Sequence, residues 1–478
     1  MIEPGITPPD PSIPDADWEQ TPASVRVYIA KLEEKTRRNS RNSSQPPSQD
    51  SLSQKPGREK DIRKPRSGRA RGGQIGHSGT GRSWLPVEAV DDLIVCRPEV
   101  CTACGTDLVE MDGAPYRYQV TEIPVVKAQV VEYQVHTVNC PCCQAVNGGQ
   151  LPSEVAAGQF GPRVVSLVAV LMGLYRLSKR QVVRLLSDCF GVQMAVSSVV
   201  NQQQAVSEAL AAPVQAAQKY VQDQATCNVD ETRWPQHGQA KTGWLWVVVT
   251  QVVTVFQIAL SRSKDVAQHL LGTHYPGIVG SDRAGSYQWL DPAQRQVCWS
   301  HRLRDFQCIL ERGGPSFVIG TNLKLQGEYL LVLWVHGRDA PAQRAVFLAE
   351  LPDIQRRVHH WLTEGATCTN PQTARTCANL LTLETALWTF AGQADVEPTN
   401  NRAERALRHP VIWRRLSSGT HSPQGSLFVE RLLTTVESCR QQQRDPLEFI
   451  RQAVLAHRAG LPAPSLLPVP CDVVFVTP

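Results

Sequence analysis

The sequence has no apolar run long enough to cross a membrane. Its most apolar window, Val164–Tyr175, falls short of the roughly 18–20 residues that a spanning helix needs. No charged stretch followed by an apolar run opens the chain, so we expect no secretory signal. The net charge of +5 allows a polyanionic partner without requiring one. These features predict a soluble, cytoplasmic protein with no membrane partner.

The composition also lacks the pattern of a disulfide-stabilised secreted domain. Fourteen cysteines are scattered over 478 residues, and cysteines outside a secretory context more often act as buried apolar residues or metal ligands. The length predicts two to four structural units, and 42% apolar residues are enough to fill their cores.

Four cysteines have the spacing of a structural zinc site. Cys101 and Cys104 form one Cys-x-x-Cys pair, and Cys140 and Cys143 form a second. Tetrahedral Zn²⁺ takes four such thiolates, and a closed protein ligand set leaves no open position for chemistry. Cys142 remains an alternative to Cys143. The alternating apolar pattern between the pairs, as in 116–120 and 130–135, predicts strands.

Several segments precede the central part of the chain, and two of them, the basic arm and a helical pair, could contact DNA. Residues 1–20 suggest no regular structure, and a short amphipathic helix is expected after Thr21. Residues 39–82 are basic and nearly without apolar side chains, which predicts a disordered arm or linker. In the helical stretch 161–222, a helix from Leu177, a break at 190–192 and a second helix from Ser197 or Ser198 outline a helix-turn-helix, although any helical hairpin has this outline.

Three carboxylates occupy positions suited to metal-dependent phosphoryl transfer. Asp230 and Asp282 each follow a strand-like run, and Glu404 opens a later helix. Two Mg²⁺ or Mn²⁺ ions held by carboxylates from separate segments can align the reacting oxygens and neutralise the growing charge.

Each carboxylate also has a plainer interpretation. Glu404 could form a helix-capping box with Asn401, and the two aspartates could be turn residues. Three other acidic residues could replace members of the set: Glu231, Glu397 and Asp305.

These residues lie within blocks that resemble the DDE transposases of the insertion-sequence-66 family. The blocks are Asp230-Glu231-Thr232-Arg233-Trp234, Gly243-Trp244-Leu245-Trp246, Ser281-Asp282 with Tyr287, Cys298-Trp299-Ser300-His301, and Thr399-Asn400-Asn401-Arg402-Ala403-Glu404-Arg405. Upstream, 42–48 and 72–77 are similar to that family's linker, so the resemblance runs in order from about 40 to 455. The Asn-Asn-x-x-Glu-Arg block is its most specific part. Ile75, Ser78 and 414–416 depart from the commoner forms.

The resemblance implies an α/β chain with an RNase H-like catalytic core and a helical insertion, preceded by a small β zinc-ribbon-like module and a helical region. It also implies binding of terminal inverted repeats, Mg²⁺-dependent strand cleavage and transfer of the freed 3′ end to target DNA. The expected parts are a tail and short helix (1–38), a basic disordered linker (39–95), the zinc module (96–150), the helical region with the helix-turn-helix candidate (151–222), the first part of the core (223–312), the helical insertion (313–395), the last part of the core (396–455) and a C-terminal tail (456–478).

Several side chains around the carboxylates are expected to support them. Arg402, Arg405 and Arg408 share a helix with Glu404 and could face DNA phosphates, or could be solvated or paired instead. The other candidate DNA contacts are Arg302, Arg304, Arg414 and Arg415, and the candidate accessory residues are His301 and Asn401. Pairing two element ends implies a homodimer or larger assembly on DNA, with accessory proteins of the same element as further candidate partners.

Two other functions compete with this interpretation. One is a non-catalytic DNA-binding protein derived from a transposase, which loss of a carboxylate would have favoured. The other is an RNase H-like nuclease or resolvase that uses the same metals but joins no strands.

Overall fold

The computed structural model describes residues 15–22, 25–26, 39, 42, 83–108, 115–152, 155, 158–238, 242–338, 340–393 and 395–468. The helix expected after Thr21 and the basic stretch 39–82 lie almost wholly outside these residues, as does most of the C-terminal tail. The chain divides into two units, Pro56–Ala128 and Met1–Lys55 with Gln129–Pro478.

The smaller unit contains little regular structure in its described part. It has one 3₁₀ turn, Val87–Ala89, and the Leu85 carbonyl accepts hydrogen bonds from the side chains of Arg117 and Gln119. The strand predicted at 116–120 is wrong, as is the one at 130–135 in the larger unit, because neither segment pairs with another strand within the described residues. The apolar side chains of both segments, such as Tyr116 at 89% exposure, face solvent.

The larger unit begins with elements of the first half of the chain. Helix α1 is Asp15–Gln20, and the hairpin is β1 (Thr137–Asn139) with β2 (Val146–Gly148). Four helices follow: α2 (Pro162–Gly173), α3 (Lys179–Phe190), α4 (Val196–Ala209) and α5 (Ala211–Gln222). Helix α1 corrects the expectation that residues 1–20 lack regular structure, and its Trp18 is buried.

The predicted break between two helices of the 161–222 region is confirmed. Ser178 and Gln181 form a capping box at the start of α3, and Gly191 ends that helix with a positive φ of 67°. Only glycine adopts this conformation without strain, so the chain turns there into α4.

A five-stranded mixed sheet follows. Its strands are β3 (Thr226–Trp234), β4 (Gly243–Val249), β5 (Thr254–Ala259), β6 (Ile278–Ser281) and β7 (Arg295–Val297), and α6 (Lys264–Leu271) precedes β6. Their order across the sheet is β5-β4-β3-β6-β7. The first three strands are antiparallel neighbours, whereas β6 is parallel to β3 and β7 is parallel to β6. Asp230 therefore lies in the middle of the central strand, whereas the sequence had suggested that it lies at the end of a strand.

Helices account for the rest of the chain. They are α7 (Trp299–Glu311), α8 (Pro315–Gly337), α9 (Pro341–Ala366), α10 (Pro371–Leu381), α11 (Glu384–Gly392), α12 (Asn401–Ser417), α13 (Pro423–Gln441) and α14 (Pro446–Arg458). Helices α7 to α11 bury a second apolar core, which includes Phe306, Phe347 and Phe390. The first core joins the sheet to α2–α5 and α12–α14. No helix in the described ranges is long and apolar enough to cross a membrane.

Helix α13 covers the edge strand β5 by hydrogen bonding to its backbone. The N–H groups of Thr254, Phe256 and Ile258 donate to the side chains of Ser438, Thr434 and Glu430, over 3.0, 2.9 and 3.0 Å. An uncovered edge offers unpaired N–H groups to other chains, so these side chains close the sheet on that side.

One of these contacts predicts a pH dependence of stability. Burial raises the pKa of Glu430 from an ordinary 4.5 to about 7. Between these values the unfolded chain loses a proton that the folded chain keeps, so stability falls as pH rises from about 4.5 to 7. Glu430→Gln keeps an oxygen acceptor for Ile258 and should remove this component of the pH profile.

Urea unfolding of both proteins at pH 5 and pH 8 measures this effect. We expect the variant to gain stability relative to the natural protein as pH rises. The matched control is Glu437→Gln, which removes a carboxylate from the same helix where it pairs with Arg440. An equal pH dependence of the Glu430 variant and the natural chain would contradict the assignment.

Candidate functional site

Asp230 lies at the centre of β3, on the strand face covered by α12. Alternate residues of a strand point to the same side, so Asn228, Asp230 and Thr232 share a face. Asn228 donates to the Asn400 Oδ1 over 3.0 Å, and Arg414 of α12 donates to the Thr232 hydroxyl over 3.1 Å. Helix α12 therefore lies along the Asp230 face of the strand.

Asp282 follows β6, the parallel neighbour of β3. Its side chain is buried and accepts a hydrogen bond from the Ala284 N–H over 2.7 Å, which fixes the turn after the strand. Arg262 approaches the other carboxylate oxygen to 3.6 Å. A cavity of about 530 Å³ opens beside Asp282, lined in part by Arg262, Arg283 and Asp305.

Glu404 lies in the first turn of α12 and completes the predicted set. Its Oε1 is 3.5 Å from the His301 Nδ1, and both atoms are buried without a hydrogen-bond partner among the described residues. The capping-box alternative is wrong: the residue before the helix is Asn400, and its side chain makes no capping bond. Glu404 therefore does not serve the end of its own helix.

Asn400 forms hydrogen bonds that connect segments distant from one another in sequence. Its Nδ2 donates to the Val229 carbonyl over 2.9 Å, and its backbone N–H donates to the Cys298 Sγ over 3.1 Å. The Trp299 N–H donates to the Pro398 carbonyl over 2.9 Å beside it. These bonds hold the starts of α7 and α12 against β3, and Asn400 is only 1% exposed.

The buried member of this asparagine pair is the one that the sequence analysis did not single out. Asn401, the predicted accessory residue, is exposed at the start of α12, whereas Asn400 enters the interior. Two adjacent asparagines cannot be distinguished from sequence until the first residue of the helix is known.

Asp230 and Glu404 lie near enough to other carboxylates for those charges to raise their pKa. Burial raises the pKa of Asp230 well above its ordinary value, and the charges of Glu231, Asp282 and Glu404 raise it further. Burial also raises the pKa of Glu404, while Arg304 and Arg408 oppose this shift and Asp282 adds to it. Like charges in one buried region are unfavourable unless protons or cations compensate them.

Glu231 has a different environment from the predicted ligands. It accepts hydrogen bonds from the Arg262 Nε over 2.5 Å and from the Tyr287 hydroxyl. Burial raises the pKa of Glu231, and both partners lower it. The paired Glu231 is thus an anchor for Arg262, which reaches on to Asp282. Sequence reasoning assigned no role to Arg262, and only the structure reveals it.

His301 and Glu404 belong to a compact group of donors. Among the described residues, the group whose ligand atoms all lie within 4.8 Å of one another is Cys298, His301 and Glu404. Asp230 and Asp282 lie outside that group. Burial lowers the pKa of His301 to about 4, so its ring is neutral at pH 7.

The donors around Asp230 fit the divalent ions that the sequence implied. Carboxylate oxygens are the ligands that Mg²⁺ and Mn²⁺ prefer. The buried Glu404 Oε1 lacks a hydrogen-bond donor, and Asp230 gains little compensation for its charge from protein cations.

The predicted DNA-contacting arginines occupy different environments. Arg405, Arg408 and Arg415 are exposed on α12, and Arg304 is half-buried near Glu404. Arg402 pairs with Glu397 over 3.3 Å. These side chains leave a basic surface beside Glu404.

Two arginines are committed to the protein interior instead. Arg414 is half-buried and donates to the Thr232 hydroxyl and the Arg233 carbonyl. Arg302 is 1% exposed and pairs with Asp305 over 2.8 Å. A side chain with this burial cannot reach a DNA backbone, so the structure corrects the expectation for Arg302.

The two cysteine pairs lie in different units, and each forms the same turn. The N–H groups of Cys101 and Cys140 donate to the carbonyls five residues later, both over 2.8 Å. The Cys101 and Cys140 carbonyls in turn accept hydrogen bonds from the N–H groups of Gly105 and Gln144, both over 2.9 Å. The shared pattern makes Cys143 the counterpart of Cys104. Hydrogen bonds from Thr106 lower the pKa of Cys104, and backbone N–H groups of Cys143 and Cys142 lower that of Cys140.

Comparisons with known proteins place more than half of the chain in one family. The family model described as "Transposase IS66 family" matches residues 157–427, and a "Family of unknown function (DUF6444)" matches residues 20–83. The chain is 23% identical over 409 residues to the uncharacterized protein y4hP of Sinorhizobium fredii, covering 78% of this chain and 73% of that protein. It is 25% identical over 252 residues to y4qI of the same organism, covering 48% and 46%.

The Asn400 contacts predict a strong local effect on stability. Asn400→Ala leaves the buried Val229 carbonyl and the Asn228 amide without a partner, which should cost about 1–3 kcal/mol of unfolding free energy. Asn401→Ala, one residue away and exposed, should change it by less than about 0.5 kcal/mol. Urea unfolding of the two variants measures the difference, and equal effects would refute the role given to Asn400.

Proposed function

Because the chain belongs to the IS66 transposase family, we propose that it cleaves and joins DNA strands at the ends of its own mobile element. The family makes it a transposase-type, nucleic-acid-processing enzyme. The convergence of three separate segments carries the finer proposal: Asn400 bonds the start of the Glu404 helix to the strand of Asp230, and Asp282 follows the parallel neighbour of that strand.

In this proposal Asp230, Asp282 and Glu404 hold two Mg²⁺ or Mn²⁺ ions. The bound ions would supply charge neutralisation at the phosphoryl group and activation of the attacking oxygen. Asp230 would lie between the other two ligands because it is on the central strand. Arg262, anchored by Glu231, holds Asp282 in place from the opposite side.

The sheet supports an RNase H-like interpretation of the core. Three antiparallel strands are followed by two parallel ones, and Asp230 and Asp282 are on or after neighbouring parallel strands. Helices α8 to α11 then form the insertion, which has its own apolar core.

The DNA backbone would lie along the exposed arginines of α12. Arg405 and Arg408 are one turn apart on the helix that carries Glu404, so phosphates bound there would be close to the carboxylates. Arg304 and Arg415 extend this surface. The two Cys-x-x-Cys turns stay candidate thiolate ligands for structural Zn²⁺, and α3 with α4 would add a second contact with DNA.

Substituting the carboxylates tests the catalytic assignment. Asp230→Asn, Asp282→Asn or Glu404→Gln should each lower Mg²⁺-dependent cleavage by roughly 10³-fold or more, because metal-assisted charge stabilisation contributes several kcal/mol. DNA binding should persist. The assay uses labelled duplexes bearing the inverted repeats that flank the gene, and it scores 3′ nicks and joined products.

Glu397→Gln is the matched control, since it removes a carboxylate close in sequence that pairs with Arg402. Its cleavage rate should remain near that of the natural protein. Absence of nicking in the natural protein would favour a non-catalytic DNA-binding protein, and nicks without joined products would favour a nuclease.

Salt dependence tests the arginine surface. Replacing Arg405 and Arg408 together with alanine should reduce the slope of log K against log salt concentration by about 1 for each lost phosphate contact. Arg356→Ala removes an exposed arginine that pairs with Asp353 and serves as control. Fluorescence anisotropy with the same duplex gives the slopes, and an unchanged slope in the double variant would exclude these contacts.

A further inference from the structure

We propose that Cys298, His301 and Glu404 form a second cation site, which shares Glu404 with the first and takes a thiophilic divalent cation of the zinc class. The three side chains provide one sulfur, one nitrogen and one oxygen ligand, all within 4.8 Å of one another. This donor set differs from the oxygen-only set of Asp230 and Asp282.

The separations need little adjustment to bind such an ion. Tetrahedral bonds of about 2.0–2.3 Å place ligand atoms roughly 3.3–3.8 Å apart. The His301 Nδ1 and the Glu404 Oε1 are already 3.5 Å apart. The sulfur comes from Cys298, which immediately precedes α7 and lies three residues before His301.

The unpartnered atoms in this group point to a missing ligand. The His301 Nδ1 and the Glu404 Oε1 are buried and have no hydrogen-bond partner in the described chain, and His301 is only 7% exposed. Buried polar atoms are normally satisfied, because leaving them unpaired is costly. One cation would satisfy both.

The surroundings already fix the ligands. The Asn400 N–H donates to the Cys298 sulfur, so this sulfur acts as an acceptor. The Trp299 N–H bond to Pro398 holds the start of α7 beside the start of α12. The Glu404 side chain is 29% exposed, which leaves an approach for the ion and for water as a fourth ligand.

This site would make the enzyme sensitive to zinc. Soft thiolate and imidazole donors select Zn²⁺ over Mg²⁺. An ion at this site would occupy Glu404, so Zn²⁺ should inhibit Mg²⁺-dependent cleavage. That consequence rests on the proposed function, whereas binding of the ion does not.

Cobalt binding tests the site directly on the full chain. Co²⁺ replaces Zn²⁺ in such sites, and bound thiolate gives a charge-transfer absorption. We expect the natural protein to bind one more equivalent of Co²⁺ than Cys298→Ser, with a stronger thiolate band. His301→Gln should also lose this equivalent, and it decides the result if Cys298→Ser fails to fold.

Two controls separate this site from its neighbours. Cys308→Ser removes a cysteine from the same helix and should keep the full stoichiometry. Asp282→Asn should abolish cleavage but keep the cobalt band. If the natural protein, Cys298→Ser and His301→Gln bind equal amounts of Co²⁺ with equal spectra, the cation site is overturned and the cleavage proposal is unaffected. If the natural protein shows the cobalt band but no cleavage, the cleavage proposal is overturned and the cation site stands.

Discussion

The arrangement of the candidate site depends on the hydrogen bonds of Asn400. Its amide binds β3 at Val229 and Asn228, and its backbone binds Cys298 at the start of α7. The side chain of the residue before a helix usually accepts hydrogen bonds from that helix's free N–H groups. The Asn400 side chain binds the sheet instead, and this contact brings Glu404 to the face of Asp230.

This contact holds acidic groups where their mutual repulsion is high. Burial raises the pKa of Asp230 and of Glu404, and the charge of Asp282 raises both further. The protein compensates a fourth carboxylate, Glu231, with Arg262 and Tyr287, and does not do so equally for Asp230. The charge left uncompensated is what a site for divalent cations requires, because a fully paired carboxylate has little affinity left for an ion.

Much of this architecture could be predicted from sequence, and the exceptions share one cause. Residue spacing predicted the helix break at Gly191, and residue chemistry proposed the three carboxylates that the fold then places on or beside the sheet. The sequence was not sufficient where tertiary contacts decide the outcome. The alternating segments 116–120 and 130–135 have no neighbouring strand to pair with among the described residues. Asn400 could not be distinguished from Asn401 before the helix start was known, and Arg302 is buried because it pairs with Asp305. Arg262 lacked any local motif because its role depends on Glu231, which is distant in sequence.

The two apolar cores are separate, which explains how a long helical stretch can lie between Asp282 and Glu404 in the sequence. After Asp282 the chain adds one more strand, β7, and then continues through α7 to α11, most of which pack in the second core, before it returns to the sheet at Asn400. Because that core buries its own apolar surface, α8 to α10 need few contacts with the sheet, whereas α11 hydrogen-bonds to β7 through Thr389 and Phe390. The starts of α7 and α12 meet at Cys298 and Asn400, so the same hydrogen bonds close this part of the chain and position the candidate metal ligands. A substitution in these helices can therefore shift the carboxylates through this junction, even when no residue that contacts the carboxylates is changed.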